Sequence, residues 1–331
     1  MSAPAFKRQQ GVVLISVLLI IALATIVASQ MSNRIMGQLQ RASNIEVNQQ
    51  AYWYAMGAEA FAKRVIETVV DQDPDFINLS QIWAQGETTY PVDNGQIVGE
   101  ISDLQACFNL NALRPLADDS DNNEKSVQRL GFERLLVNLA MEDVDQFTAE
   151  YMVDALIDWL DENSSIVSAG GAEDNDYAGR EFPYLAANHY LADISELRVI
   201  EHFTMSAINQ LKDYVCVLPN TNLHKLNVNT ISEEHAVLLQ SFLDISLEDA
   251  QEIISERGES GFEKIDDVLA LQVLTNAKLT SQEKEQLTVD SDYFQLSSRA
   301  SFNNSFFTLV STLKVENNKR VDVIRRSVGK N

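Results

Sequence analysis

Formal charge disappears from the chain between Arg8 and Arg34. Lys7 and Arg8 precede Gly11, and Val12 to Asn33 is uncharged and mostly apolar. As a helix this run covers roughly 25–33 Å, about the hydrocarbon thickness of a bilayer. No proline falls between Val12 and Asp73, and Pro74 then supplies a stop. Ile45, Tyr52, Met56, Phe61 and Val65 recur at helical spacing. The pattern predicts one helix of about 55–60 residues. Its first half, 12–33, lies in lipid, and its second half packs on a globular domain.

Helical spacing gives way to alternation in two places. Residues 86–110 read as short strands around a turn at Asp93-Asn94-Gly95. Tyr293–Arg299, Ser305–Lys314 and Val321–Arg326 read as a three-stranded antiparallel meander, punctuated by Asn303-Asn304 and Asn317-Asn318. Between them, 112–286 is helix and loop. The simplest architecture is α+β: a long N-terminal helix on an antiparallel sheet built from 34–111 and 287–331. A large all-α domain, 112–286, is inserted into it as two subdomains, about 112–200 and 226–286.

The insert carries an internal echo. Phe108-Asn109-Leu110-Asn111-Ala112 and Leu226-Asn227-Val228-Asn229-Thr230 share the order apolar-Asn-apolar-Asn-small, and each precedes a helical stretch. Alternating asparagines supply side-chain hydrogen bonds where an extended segment turns into helix. Thr230-x-x-Glu233 reads as a capping box. Asn227 to Leu271 is similar to a helix-hairpin-helix or SAM-like unit, with its turn at Asp244-Ile245-Ser246. That turn has no glycine. Eleven acids lie between Ile231 and Ala270 against only Arg257 and Lys264, the opposite of what phosphate neutralisation needs. The unit is a protein scaffold, and no nucleic acid is expected.

Composition sharpens this reading. The net charge is −23, which repels nucleic acid and anionic lipid and attracts divalent cations, while 45% apolar content supports a packed core. The four histidines show no zinc-ligand spacing, and no nucleophile elbow, phosphate loop or dinucleotide fingerprint occurs. The chain does not read as an enzyme. Cys107 and Cys216 are compatible with one disulfide or with two separate buried thiols. The richest acidic stretch runs from Asp158 to Tyr177, with five acids and no base between 161 and 176. Carboxylates beside Gly170-Gly171, with Asn188 downstream, are the donors a hard cation takes, although the spacing is not that of an EF-hand. A solvated acidic loop is the competing reading. Asp118-Asp119-Ser120-Asp121 is expected to be an exposed loop.

The amino-terminal arrangement adds a processing signal. A small residue, Gly11, stands before the apolar run rather than after it, so cleavage there would leave the hydrophobic helix on the mature protein. This resembles the class III leaders of pilins and pseudopilins. An uncleaved signal anchor and conventional cleavage after Ser29 are the alternatives, and all three export the bulk of the chain. Together with AYWYAMGAEAFAKRVI (51–66), CFNLNALRP (107–115), the DWLDENSS and GGAEDNDYAGREFPYLAAN stretches, and KLNVNTISEEHAVLL (225–239), the leader resembles the general secretion pathway protein K family, the large minor pseudopilins of type II secretion.

That resemblance implies a leader, 1–11, cut after Gly11 by prepilin peptidase, with methylation of the new amino terminus, Val12. It implies a pilin-like fold and single-pass residence in the inner membrane of a Gram-negative bacterium, with the globular part in the periplasm. It also implies a place at the pseudopilus tip with minor pseudopilins I and J, the head facing secretin or cargo. One or two calcium ions are implied in the acidic loop, with Asp161, Glu173, Asp174 and Asp176 as candidate ligands. Shaft pilins carry Glu at the fifth mature position, where a neighbour's amino terminus neutralises it. Here that position is Ser16. An unpaired carboxylate is costly in hydrocarbon, so its absence suits a subunit with no neighbour above. A minor pilin of a type IV pilus is the alternative, against which the helix-hairpin-helix-like insert weighs. An anchored calcium sensor or adhesin is a third reading.

Overall fold

The computed structural model describes residues 11–115 and 125–329. Residues 1–10, which hold most of the expected leader, and Asp118-Asp119-Ser120-Asp121 lie outside the described residues. Helix α1, Val12–Gln72, is unbroken, because nothing in that stretch removes an amide donor. It ends at Asp73, whose N–H still reaches the Val69 carbonyl at 2.8 Å before Pro74 stops the ladder. Burial on α1 begins only at Ala51, so the helix rises free of the body for most of its length.

The chain then forms β1 (Thr88–Val92) and β2 (Gly95–Asp103), turning through Asn94 at φ 58°. A left-handed Asn is suited to such a tight hairpin. The insert follows: β3 (Phe108–Asn109), α2 (Val127–Asn138), α3 (Gln146–Leu160), α4 (Asp174–Ala178), α5 (Met205–Leu211) and β4 (Val215–Cys216). After these come β5 (Leu226–Asn227), α6 (Val237–Leu243), α7 (Leu247–Glu256), α8 (Ile265–Leu269), α9 (Gln272–Ala277), α10 (Ser281–Glu285) and β6 (Leu287–Thr288). The sheet resumes with β7 (Tyr293–Phe302), β8 (Ser305–Val315) and β9 (Val321–Val328). Its order is β1-β2-β7-β8-β9, antiparallel throughout, so the whole insert is spliced between two adjacent strands.

One face of α1 covers this sheet. Ala62, Ile66 and Val69 pack with Phe294, Leu296, Leu313 and Trp83, and each large side chain buried there contributes about 1.5–3 kcal/mol. A polar clamp sits in the same contact. Glu59 of α1 accepts from both the Nε (2.7 Å) and Nη2 (2.8 Å) of Arg326 and from the Ser311 hydroxyl at 2.6 Å. Burial pushes the Glu59 carboxyl up, but these partners outweigh it and hold it below its usual range.

The insert has its own core, centred on Phe108 stacked between Phe132 and Phe242 at 4.8 and 5.0 Å. Gly131 on α2 lets the Phe242 ring of α6 come closer than any Cβ would allow. His224 is buried against Phe108 and Phe242, and burial drives it down to about 3, so it is a neutral core residue.

The asparagine echo is structural. Asn109 and Asn227 each close a two-residue parallel bridge, β3–β4 and β5–β6, and each accepts from the N–H two residues on. Asn111 brackets Leu191, taking its N–H (2.8 Å) and giving to its carbonyl (3.1 Å). Asn229 does the same to Phe262, at 2.7 and 2.9 Å. The first half therefore spans 108–216, beginning before 112 and running past 200 through α5 and β4, and the second spans 226–288. One detail differs from the sequence reading. Thr230 caps nothing; its hydroxyl donates to the buried Asp103 carboxylate at 2.6 Å, because that carboxylate has no cation beside it and must collect donors. Cys107 and Cys216 are bonded to each other beside the β3–β4 bridge, Cα atoms 5.8 Å apart.

Candidate metal centre

Helix α3 starts on Asp145, which accepts the Thr148 N–H at 2.8 Å, and runs inward through an almost wholly buried phase. Asp154, Asp158 and Asp161 fall four and three residues apart, so they share one helix face. Asp154 is already satisfied, since it pairs with Arg129 and accepts from Ser168. Asp158 and Asp161 meet Glu173 instead. All three are buried, and one oxygen from each lies within 4.8 Å of the others.

The intervening loop folds back onto α3 to build this cluster. Asp161 accepts from the backbone and side-chain amides of Asn163, at 2.9 and 2.8 Å, and Asp158 Oδ1 accepts the Val167 N–H at 2.9 Å. Gly170 and Gly171 are needed for close contact. A Cβ on Gly170 would meet the Tyr151 backbone, and one on Gly171 would meet Asp158 Oδ2. His202 Nε2 holds the Gly170 carbonyl at 3.1 Å from outside.

What remains in the cluster is surplus negative charge. Among the described residues, Asp158 Oδ2 and both Glu173 oxygens are buried without a well-formed hydrogen bond. Burial, reinforced by Asp161 and Asp154, raises Asp158 to about 7. Burial and the charges of Asp158, Asp161 and Asp174 raise Glu173 to about 7 as well. Such an arrangement takes up protons or a cation. An all-oxygen donor set is chemically suited to a hard divalent ion.

Of the expected ligands, the structure brings Asp161 and Glu173 together with Asp158, while Asp174 and Asp176 each have an oxygen on a backbone amide. Asp174 accepts the Ala186 N–H at 3.1 Å, and Asp176 accepts the Glu173 N–H at 3.0 Å as α4 begins. Asp158 was legible as an acid in a buried helical phase, but ligand candidates drawn from the loop alone miss it. At the other end of the chain, Gly11 immediately precedes α1, Val12 opens it, and the Ser16 hydroxyl donates to the Val12 carbonyl at 2.9 Å.

A long N-terminal helix, apolar and free at one end and buried on an antiparallel sheet at the other, defines a pilin-like protein. Residues 106–220 and 226–290 match the family described as type II secretion system (T2SS), protein K. Type II secretion system protein K of Aeromonas hydrophila is 38% identical over 79% of this chain and 80% of its own length. That of Pectobacterium carotovorum subsp. carotovorum is 33% identical over 98% and 97%. The crystal structure of the GspK-GspI-GspJ complex from the enterotoxigenic Escherichia coli type 2 secretion system matches with a TM-score of 0.78 at 30% identity, covering 88% of this chain and 100% of that one. The chain belongs to the type II secretion system protein K family, which decides against the type IV pilus alternative and against an enzyme.

Proposed function

We propose that this chain is the minor pseudopilin that assembles with pseudopilins I and J at the tip of the type II secretion pseudopilus. The observation that carries this is the match, over the full length of the relative's chain, to a protein solved in complex with GspI and GspJ. The chain is a single-pass protein. The free part of α1 holds it in the inner membrane, and the sheet and insert lie in the periplasm. The shape suits a terminal position, since the insert projects from between β2 and β7 and would obstruct stacking of identical heads. Ser16 leaves the membrane segment without a carboxylate that needs a neighbour. Prepilin peptidase cuts after Gly11 and methylates Val12.

The cluster of Asp158, Asp161 and Glu173 holds calcium, which offsets the repulsion among the three carboxylates and fixes the loop on α3. Its role is structural, and no reaction passes through it.

Intact-mass analysis of the full chain coexpressed with a prepilin peptidase tests the processing. A mature chain starting at methylated Val12 is expected, and an intact Met1 or a start near Gln30 would sink the assignment. For the ion, terbium luminescence sensitised by Trp159, the residue next to Asp158, is expected and should be displaced by calcium. Luminescence unchanged in Asp158→Asn would remove this cluster as the site.

A further inference from the structure

The two halves of the insert share one plan: a buried asparagine pair, a helical hairpin, a bracketed residue and a returning bridge strand. They differ at one link. In the second half the helix end, Arg257, reaches the bracketed Phe262 through residues 258–261 alone. Arg257 Nη1 closes that end by donating to the carbonyls of Val228 and Ile231 at 3.1 and 2.5 Å. In the first half the equivalent helix end is Asp161, and the chain makes an excursion over residues 162–190 before the bracketed Leu191. A carboxylate thus stands where the other half has its own cation, and Asp161 and Glu173 tie both ends of the loop's first segment to the candidate metal centre.

This excursion carries four of the large apolar side chains that the head exposes. Ile166 is 56% exposed, Val167 45%, Phe182 78% and Leu185 64%. The first half leaves eight large apolar side chains exposed among the described residues, and the second leaves Leu247 alone. Two more of the eight, Phe147 and Tyr151, lie one turn apart on α3, and the loop backbone at Gly170 lies against Tyr151. Exposed apolar side chains concentrated on one element mark a contact surface. The charge around them restricts the partner. Within 162–190 five acids stand against Arg180 alone, and Arg180 is paired with Glu201. A second copy of the loop or an anionic membrane would be repelled.

We propose that residues 162–190 form a cation-fastened docking loop for a protein whose contact face is apolar and rimmed by Lys and Arg. Fastening by calcium rests on the reading of the metal centre given above; the identity of the docking surface does not.

The test uses the full chain in a secreting bacterium that lacks its own copy. Phe182→Ser/Leu185→Ser and Ile166→Ser/Val167→Ser are each expected to reduce exported enzyme in the medium by roughly tenfold. Copurification of pseudopilins I and J should persist in both and terbium luminescence in Phe182→Ser/Leu185→Ser, which lies outside the carboxylate cluster, while Leu247→Ser leaves secretion intact. With the photocrosslinker benzoylphenylalanine at position 182, ultraviolet light should give an adduct to a protein that is not a pseudopilin. The linked peptide should carry Lys or Arg beside apolar residues, and the yield should fall in about 0.5 M salt. Unchanged secretion in both double variants would overturn the proposal. So would adducts that are absent or confined to lipid, a second copy or subunits I and J. If Asp158→Asn keeps its luminescence while the apolar variants fail to secrete, the metal reading falls and the docking surface stands.

Discussion

Buried acids without a fixed cation recur in this protein, and each sets a residue-scale expectation. Asp103 sits at the end of β2, where the chain leaves the sheet. It accepts from Gln105 N–H (2.7 Å), Thr230 and Ser291 hydroxyls (both 2.6 Å) and the Asn227 amide (3.4 Å). Burial raises it to about 6 despite those four donors. A raised carboxyl binds its proton more tightly in the folded state, so its contribution to stability grows as pH falls through 6 towards the unfolded value of 3.8. We expect Asp103→Asn to shrink the gain in melting temperature between about pH 7.5 and pH 5; an unchanged gain would show that other acids carry it. Glu59 has the opposite sign. Its lowered carboxyl stabilises the fold above the unfolded value of 4.5, and that contribution is lost as pH falls further. Arg326→Ala, which strands this buried carboxylate, should cost about 3 kcal/mol and more than Glu59→Met, measured by thermal melting in detergent. At the metal centre, chelation should lower the melting temperature by roughly 5 °C, and Asp158→Asn should abolish that response.

Among the elements, the paired asparagine motifs organise the insert. Asn109 and Asn111 bind Leu191 and residues 218–223, and Asn227 and Asn229 bind Ile77, Asp103, Phe262 and Ser291, so each pair joins segments far apart in the chain. Asn111 makes three such bonds, to the N–H and carbonyl of Leu191 and the carbonyl of Leu218. Asn111→Leu should cost about 2–4 kcal/mol, because the buried backbone groups lose partners that water cannot replace. The melting temperature of the full chain checks this, and a loss no larger than that of a surface substitution would mean the bracket is incidental. The repeat is visible in the sequence as a spacing. Its partners, Leu191 and Phe262, are not, since nothing in residues so far along the chain marks them. For the same reason the capping box expected at Thr230 does not form: a hydroxyl that could cap a helix is claimed by Asp103 from another segment.

For the whole molecule, the Cys107–Cys216 bond closes a loop with a sequence separation of 109 and ties the start of the insert's first half to its end. Replacing both cysteines by serine should destabilise the protein by roughly 3–5 kcal/mol on the loop-closure argument, and should reduce secretion in step with the lowered abundance of the folded chain. Secretion lost at unchanged abundance would point to a role beyond stability.

The sequence by itself determined the long helix and its membrane half, because an uncharged run and an absence of proline are local properties. It likewise determined the terminal strands, the splice of a helical insert between them and the acidic character of the head. Burial and pairing at a distance were decided only by the tertiary structure. Packing turned Asp158 inward to meet Glu173, assigned Asp174 and Asp176 to backbone amides, joined the two cysteines and left Phe182 and Leu185 in the open. Each of those outcomes depends on which segments the fold brings together, and a carboxylate or an apolar side chain carries no local mark of the neighbour it will meet.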